Sequence, residues 1–470
     1  MKNLIVLILL LISASVYSQS DSTFTFKKRV LENTEVDILS SYYNQEGDNA
    51  SVIGGIGDEK ITDFTPNIIV SIPLNDDDVL TVDVGFSTYT SASSSNVNPF
   101  DKSGASQNAN NDMTGSPWVA SSGASQKDTW TNISGNYSHS SDDRNKLWDT
   151  HASFSKEFDY TSIGFGGGYT KLFHEKNTEI NVKGSLYLDT WKPVYPSELI
   201  SYDDVNGDLY RGFFANADIL NQQGIVTNKN SITWDPVNYS KVSDKGRNTY
   251  SLSVSFSQII SRNAQFSLFF DLVQQNGWLS NPMQRVYFAD RSNYYIGNAE
   301  SIPDYDTRKN RDVFMLADDI ERLPGTRFKI PVGARFHYFI NEYLTVRTYY
   351  RYYYDDWGIT SNTVNVEIPV KISQKFTLYP SYRYYNQSAA DYFAPFDTHL
   401  STSKYYTSDY DLSKFSADQF GFGISYTDIF TKAKIGKFGL KSIDLKYNNY
   451  KRNTGLKANF VAFGVKFVRE

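Results

Sequence analysis

Apolar and polar residues alternate with a period of two through much of the C-terminal half of the chain. The clearest stretch runs from residue 328 to residue 372 and contains a tight turn at residues 341–343. A period of two places alternate side chains on opposite faces of a β-strand, so this stretch predicts three strands with one apolar, aromatic face and one charged face. The residues predicted for the apolar face include Phe328, Ile330, Val332, Val364, Val366 and Ile368.

The direction of that apolar face separates two fold classes. A soluble sandwich buries its apolar face, whereas a membrane barrel turns it outward to lipid and keeps the polar face for the lumen. The predicted connections favour the barrel, because short turns alternate with long loops at residues 90–128, 192–247 and 275–326. Bacterial barrels show this contrast between periplasmic turns and extracellular loops. We therefore predict an all-β protein, a transmembrane antiparallel up-and-down β-barrel of about 16 strands.

The N-terminus predicts that the protein is exported. Lys2 is followed by an apolar run at residues 4–12, and Ser18 is small enough for a signal-peptidase site. We interpret residues 1–18 as a cleaved signal peptide and residues 19–470 as a single barrel domain. The remaining sequence holds no apolar stretch long enough for a transmembrane helix, so a membrane form must be a closed barrel. The expected location is the outer membrane of a Gram-negative bacterium.

Composition narrows the possible chemistry. Aromatic residues make up 16% of the chain, with 35 Tyr and 31 Phe, which suits the aromatic girdles of a membrane barrel. The absence of cysteine excludes a disulfide framework and a thiol nucleophile. With 46 basic and 52 acidic residues, the net charge of -6 is no signature of nucleic-acid binding, and we expect no nucleic-acid partner.

Charged residues on the predicted inner faces are candidates for the lumen lining. The basic group is Arg335, Arg347, Arg351 and Arg383 with Glu367 among them, and the acidic group is Asp37, Asp83, Asp149 and Glu157. In a barrel of about sixteen strands the third strand lies opposite the eleventh, so a basic wall would face an acidic one. The electric field between the two walls would tune the ion selectivity of the channel. The alternative is that these charges form structural salt bridges within the wall, or meet a loop folded into the bore.

A duplicated tetrapeptide raises the possibility of a cofactor. Ser-Gly-Ala-Ser occurs twice in the loop 90–128 and ends at Ser106 and at Ser125. Each copy resembles the small-residue core at which flavin mononucleotide is attached to a hydroxyl group through a phosphodiester. Both copies lack the acid that the fuller pattern has three residues before the core. In the first copy Asp101 lies two residues before Ser103, and in the second copy Val119 holds the place of the acid. A flexible Ser/Gly loop is the alternative interpretation, and we favour it.

A second candidate is a calcium loop. Asp204, Asn206 and Asp208 have the spacing of its first ligands. The later positions depart from that pattern, because Leu209 stands where glycine is needed and Ala215 where the bidentate glutamate is needed. An ordinary turn rich in Asp and Asn explains the segment better, and we expect no resident cofactor.

Long segments of the chain resemble a known family. These segments are RVLENTEVDILSSYYNQEGDN, SPWVASSGAS, NYSHSSDDRN, AQFSLFFDLVQQNGWLSNPMQRVYFADR and RNTGLKANFVAFGVKF. They are similar to a family of Bacteroidetes-type bacteria that is catalogued only as a domain of unknown function, number 3570. The resemblance covers nearly all of the mature chain and implies an outer-membrane barrel with no established activity and no catalytic residues. It also implies a genomic neighbourhood with a small lipoprotein and a flavin-transferring enzyme, which hints at a lipoprotein or redox partner.

These observations favour passage of small solutes through a porin-like channel. Two alternatives remain open, a non-enzymatic sleeve for an outer-membrane redox or lipoprotein complex and a barrel enzyme. The enzyme ranks third, because the sequence shows no catalytic constellation. The other expected partners are outer-membrane lipid and the barrel-assembly machinery, which usually reads an apolar terminal strand. Here that strand alternates Val461, Phe463, Val465 and Phe467.

Overall fold

The structure is a computed structural model. It describes residues 29–57, 59–90, 127–236, 239, 241, 245–297, 299–304 and 313–469. The predicted signal peptide at residues 1–18 lies outside the described residues, as do both tetrapeptide copies with Ser106 and Ser125.

Within the described residues, sixteen long antiparallel strands form one closed sheet, which confirms the predicted fold class. The strands are β1 (Glu35–Gly47), β2 (Glu59–Pro73), β3 (Asp78–Thr90), β4 (Lys127–Ser140), β5 (Lys146–Lys156), β6 (Tyr160–Phe173), β7 (Thr178–Trp191), β8 (Lys245–Ser261), β9 (Ala264–Gly277), β10 (Thr326–Asn341), β11 (Leu344–Asp355), β12 (Thr360–Glu367), β13 (Phe376–Gln387), β14 (Phe415–Thr427), β15 (Phe438–Arg452) and β16 (Lys457–Arg469). Each strand pairs with its neighbours in sequence, and β1 pairs with both β2 and β16, which closes the barrel. Short segments at Val370–Lys371 and Lys434–Ile435 extend the same sheet.

The outer face of the sheet carries an apolar belt. Val332 and Val364 are each 42% exposed, and Tyr350 between them on β11 is 45% exposed. The neighbours of these residues along each strand are less exposed and point into the barrel. Phe328 and Ile330 share the outer face with Val332. Large apolar side chains left in contact with solvent around a closed barrel are explained by contact with lipid, so the barrel spans a membrane.

The two ends of the barrel differ in their connections. At one end the described connections are short turns, of which the longest spans residues 428–437. This turn end also holds the start of β1 and the end of β16. Loops 192–244, 278–325 and 388–414 lie at the opposite end. The predicted asymmetry is therefore present. Among the described residues, no α-helix has the length and apolarity needed to cross a bilayer.

The long loops fold into a packed layer with its own secondary structure, which the sequence did not predict. We call the described residues of loops 192–244, 278–325 and 388–414 the cap. It contains a helix, Ser197–Asp204, and two small sheets. One sheet joins Ile219–Leu220, Tyr295–Gly297 and Val313–Met315, and the other joins Arg285–Val286 and Asp319–Ile320. The buried core of the cap is formed by Tyr195, Leu199, Leu209, Phe214, Ile219, Leu220, Trp234, Tyr287, Tyr294, Tyr295, Ile302, Met315, Leu316, Ala317 and Ile320.

Candidate functional site

The predicted basic residues lie on one side of the inner wall. Arg347 is in an ion pair with Glu367, with Nη1 2.9 Å from Oε1. Lys446 of β15 approaches the other oxygen of the same carboxylate at 3.6 Å. Arg335 lies between two rings, its guanidinium carbon 5.1 Å from the centroid of Phe269 and 5.6 Å from that of Tyr349. Ion pairs and ring contacts within the wall therefore hold part of this group in place.

Arg351 and Arg383 belong to the same wall of the lumen. The guanidinium of Arg351 is 5.9 Å from the ring of Tyr353, and its buried Nε has no hydrogen-bond partner among the described residues. Arg383 is placed by register between Asn365 of β12 and Gln419 of β14. Both charges face the interior of the barrel, as the alternation predicts.

Three of the predicted acidic residues, Asp37, Asp83 and Asp149, lie on other strands of the inner wall. Asp37 is 3.4 Å from Lys466 Nζ. Asp83 is in register with Ser134 of β4, and Asp149 with Gly168 of β6. Glu157 lies in the β5–β6 connection and is 8% exposed. Burial, with a smaller contribution from the neighbouring Asp159, raises the pKa of Glu157 to about 8.

Strands β4 to β8 build their inner face largely from small polar residues and glycine. We call this surface the small-residue wall. Its members are Ser134, Ser153, Ser155, Ser162, Gly164, Gly166, Gly168, Ser185, Ser251, Ser253, Ser255 and Ser257. Across the barrel, β11 to β16 turn large side chains inward, among them Tyr349, Arg351, Arg383, Tyr385, Gln419, Tyr450 and Phe460. Side-chain size is therefore distributed unevenly around the lumen, with small residues concentrated on β4 to β8.

Sequence reasoning missed this wall because it looked only for charge. The signal was present, since serine recurs at every second position from Ser251 to Ser257. A period of two with hydroxyl groups places them all on one face.

The cap is tied together by buried ion pairs and bonded to the barrel. Arg285 makes two hydrogen bonds to Glu198 of the helix, at 2.7 and 3.0 Å, and a third to the carbonyl oxygen of Val52 in the β1–β2 connection. Arg452 at the end of β15 reaches Asp411 at 2.6 Å. These contacts hold the cap against the mouth of the barrel.

Two neighbouring carboxyl groups lie inside the cap, of which Glu321 is buried and Asp409 is half-buried. Glu321 accepts hydrogen bonds from the backbone nitrogen of Asn281 at 2.6 Å and from the hydroxyl of Thr407 at 2.5 Å. Asp409 accepts one from Gln284 Nε2 at 3.0 Å. Burial raises the pKa of Glu321 to about 8, and the nearby charge of Asp409 adds to this effect. Burial also raises the pKa of Asp409 to about 7.

A basic cluster at the cap end of β8 and β10 was also missed. Arg247 pairs with Asp189 at 2.8 Å, and Arg327 pairs with Asp355 at 2.5 Å. Lys329 lies beside them and is 8% exposed. Arg327 and Lys329 of β10 are each an even number of positions from Arg335. The alternation that predicts an inward Arg335 therefore predicts that these two residues also point inward.

The predicted calcium ligands contact protein groups. Asp204 Oδ1 lies 3.4 Å from Lys241 Nζ, and Asp208 is 3.1 Å from Arg211. Asp208 also accepts a hydrogen bond from the backbone nitrogen of Tyr210, which is the geometry of an Asx turn. In the part of the chain that the structure describes, no group of three or more His, Asp or Glu side chains could hold a metal ion.

Comparison with solved structures gives likenesses of low identity. A bacterial polysaccharide outer membrane secretin is 9% identical, with 93% of this chain and 99% of that chain covered and a TM-score of 0.43. The toluene transporter TodX of Pseudomonas putida is 8% identical, with 94% and 90% covered and a TM-score of 0.36. The siderophore receptor PirA of Pseudomonas aeruginosa is 8% identical, with 90% of this chain but only 57% of that chain covered and a TM-score of 0.35.

Comparison of the sequence with protein families gives a match that extends over nearly the whole chain. No curated protein matches it in sequence. The family described as "Protein of unknown function (DUF3570)" matches residues 6–458. The chain belongs to the DUF3570 family.

Proposed function

We propose that the protein is an outer-membrane channel that passes small polar solutes along the small-residue wall, with the cap limiting entry at the extracellular mouth. The observation that supports this proposal is the distribution of side-chain size in the lumen. Ser and Gly leave space beside the wall, and their hydroxyl and backbone groups can hydrogen-bond to water or to a solute. Sixteen strands are enough to leave an aqueous channel when one side of the interior is not filled.

The glycines of β6 make room for two large side chains of the neighbouring strands. A Cβ on Gly166 would lie 2.2 Å from Cε1 of His151, and one on Gly164 would lie 2.7 Å from the ring of Tyr187. Glycine lets these two large inner side chains lie against the wall, where they occupy less of the lumen.

Conductance of the purified protein in planar lipid bilayers tests the proposal. We expect the wild type to conduct and Ser253→Trp to conduct less, because an indole on the small-residue wall would fill the proposed path. Leu252→Trp is the matched control, since Leu252 is 43% exposed on the outer face. A folded wild-type barrel that never conducts would refute the channel and favour the sleeve. Equal conductance of both variants would refute the path.

A further inference from the structure

Lys329 is a buried lysine at the cap end of the lumen. It lies on the inner face of β10, in register with Val273 of β9 and Asp355 of β11, and only 8% of its surface is exposed. Among the described residues, no hydrogen bond or ion pair involves its ammonium group. Taking an ammonium group out of water without a compensating partner is strongly unfavourable. An anion that entered the site would supply the missing hydrogen-bond partner.

Asp355, the carboxylate in register with Lys329, is already engaged through both oxygens, whereas Oδ1 of Asp189 has no hydrogen-bond partner among the described residues. Asp355 Oδ2 accepts hydrogen bonds from Arg327 at 2.5 and 2.9 Å and from the hydroxyl of Tyr353 at 2.7 Å. Asp355 Oδ1 accepts from the backbone nitrogens of Trp357 and Ile359. In this cluster Arg247, Arg327 and Lys329 face Asp189, Asp355 and Asp356, and each arginine is paired with a carboxylate. Lys329 is the basic residue of the cluster that has no hydrogen-bonded carboxylate among the described residues.

Two tryptophan N–H groups near this cluster also lack acceptors. The guanidinium of Arg247 lies 5.5 Å from the ring of Trp191. The backbone nitrogen of Trp278 bonds to the carbonyl oxygen of Gly246, the residue before Arg247. Nε1 of Trp191 and Nε1 of Trp278 are both buried, and neither has a hydrogen-bond partner in the described parts of the chain. Indole N–H groups only donate, so both suit the oxygens of an anion.

The site is continuous with the proposed solute path. The row of paired residues that starts at Lys329 passes through Val273 of β9 and Ser251 of β8 to Ser185 of β7. The two serines belong to the small-residue wall. A solute moving along that wall therefore comes within a few strands of the ammonium group.

We propose that Lys329 anchors a binding site for a small anion with carboxylate or phosphate oxygens at the cap end of the lumen. Arg247 and Arg327, each paired with a carboxylate, form the fixed surroundings of the site, and charge-assisted hydrogen bonds from the ammonium group supply most of the affinity. This inference rests on the proposed channel function and deepens it by naming the class of solute.

Calorimetric titration of the folded barrel in detergent with succinate, and separately with inorganic phosphate, tests the site. We expect the wild type to bind at least one of the two anions and Lys329→Met to bind it about tenfold or more weakly, as for the loss of one charged hydrogen bond. Lys371→Met is the matched control, because Lys371 is exposed at the turn end of the barrel; it should bind like the wild type. Lys329→Arg, which keeps the charge, should retain part of the affinity.

Heat-modifiable migration on a gel establishes that each variant is folded. If Lys329→Met does not fold, Lys329→Gln replaces it as the uncharged variant. Lys329→Gln should then bind the anion more weakly than Lys329→Arg. A wild type that binds neither anion overturns the site, and so does an uncharged variant that binds as tightly as the wild type. Binding in detergent does not require conduction, so anion binding by a barrel that never conducts would refute the channel and leave the site standing.

Discussion

At the scale of single residues, position along the strand decides whether a side chain meets lipid or the lumen. Ile68 and Ile69 on β2 illustrate this, because they are the same residue type at adjacent positions. Ile68 is 48% exposed on the outer face. Ile69 points inward and is in register with Asp37 of β1 and Asp83 of β3. The two positions therefore lie on the same strand at nearly the same depth in the membrane, but Ile68 faces lipid and Ile69 faces the lumen.

We expect Ile68→Arg to impair assembly and Ile69→Arg to be tolerated. A guanidinium group facing lipid near the middle of the bilayer costs about 2–4 kcal/mol, whereas one at Ile69 would lie between two carboxylates. The measurement is the fraction of each variant that becomes heat-modifiable in outer-membrane fractions. If Ile68→Arg assembled as well as Ile69→Arg, the assigned facing would be wrong.

At the scale of elements, the molecule combines two kinds of stability. Continuous hydrogen-bonded pairing around the closed sheet holds the barrel. The cap depends on a small apolar core and on a few buried polar contacts between loops. The two parts can therefore be perturbed separately.

The core of the cap should be sensitive to truncation. Phe214 is fully buried, and its ring lies 5.6 Å from that of Trp234. Phe214→Ala should destabilise the cap by about 3–5 kcal/mol, and we expect much faster limited proteolysis within residues 192–236 while the barrel stays heat-modifiable. Leu400→Ala is the control, because Leu400 belongs to the cap and is 51% exposed. Unchanged proteolysis of Phe214→Ala would contradict a packed cap.

The buried carboxyl groups should make the cap sensitive to pH. Burial raises the pKa of Glu321 from its ordinary 4.5 to about 8, so the folded cap binds a proton that the unfolded loop releases. The stability of the cap should therefore fall as the pH rises from about 4.5 to about 8 and change little above that range. Glu321→Gln, which cannot ionise, should remove much of this dependence.

Limited proteolysis at a series of pH values measures this effect. The ratio of wild-type to Glu321→Gln cleavage rates at each pH cancels the pH dependence of the protease, and it should increase toward pH 8. Glu342→Gln is the control, because it alters a carboxyl in the exposed turn between β10 and β11. The ratio of wild-type to Glu342→Gln cleavage rates should stay constant with pH. A constant ratio for Glu321→Gln would show that this carboxyl does not control the cap.

At the scale of the whole molecule, the end asymmetry fixes an orientation in the membrane. Every described connection on one side is short, and the start of β1 and the end of β16 lie there too. The cap lies on the other side, together with a few short connections such as residues 157–159 and 356–359. Bacterial barrels place short turns in the periplasm, so the cap should face the outside of the cell. The proposed anion site would then lie at the extracellular end of the lumen, where a solute enters first.

Epitope tags test this orientation. A tag after Gln222, which is exposed in the cap, should be labelled by antibody on intact cells. A tag after Glu342, in the turn between β10 and β11, should be labelled only after the outer membrane is permeabilised. The reverse pattern would invert the topology and place the cap in the periplasm.

The sequence by itself determined the sixteen strands, the membrane-facing residues and the difference between the two ends. These features are readable because the β period is local: each residue's face follows from its position relative to its neighbours. The inward direction of Arg347 and Arg351 followed from the same rule.

Only the tertiary structure decided how the cap folds and which charged side chains are paired. The buried core of the cap joins short segments of two loops, 192–244 and 278–325, which are too short to show any period. The pairing of Arg347 with Glu367 and the isolation of Lys329 depend on which strands are adjacent and on which carboxylates are already engaged. Hydrogen-bond partners and burial are properties of three-dimensional proximity, so a pattern along the chain cannot specify them.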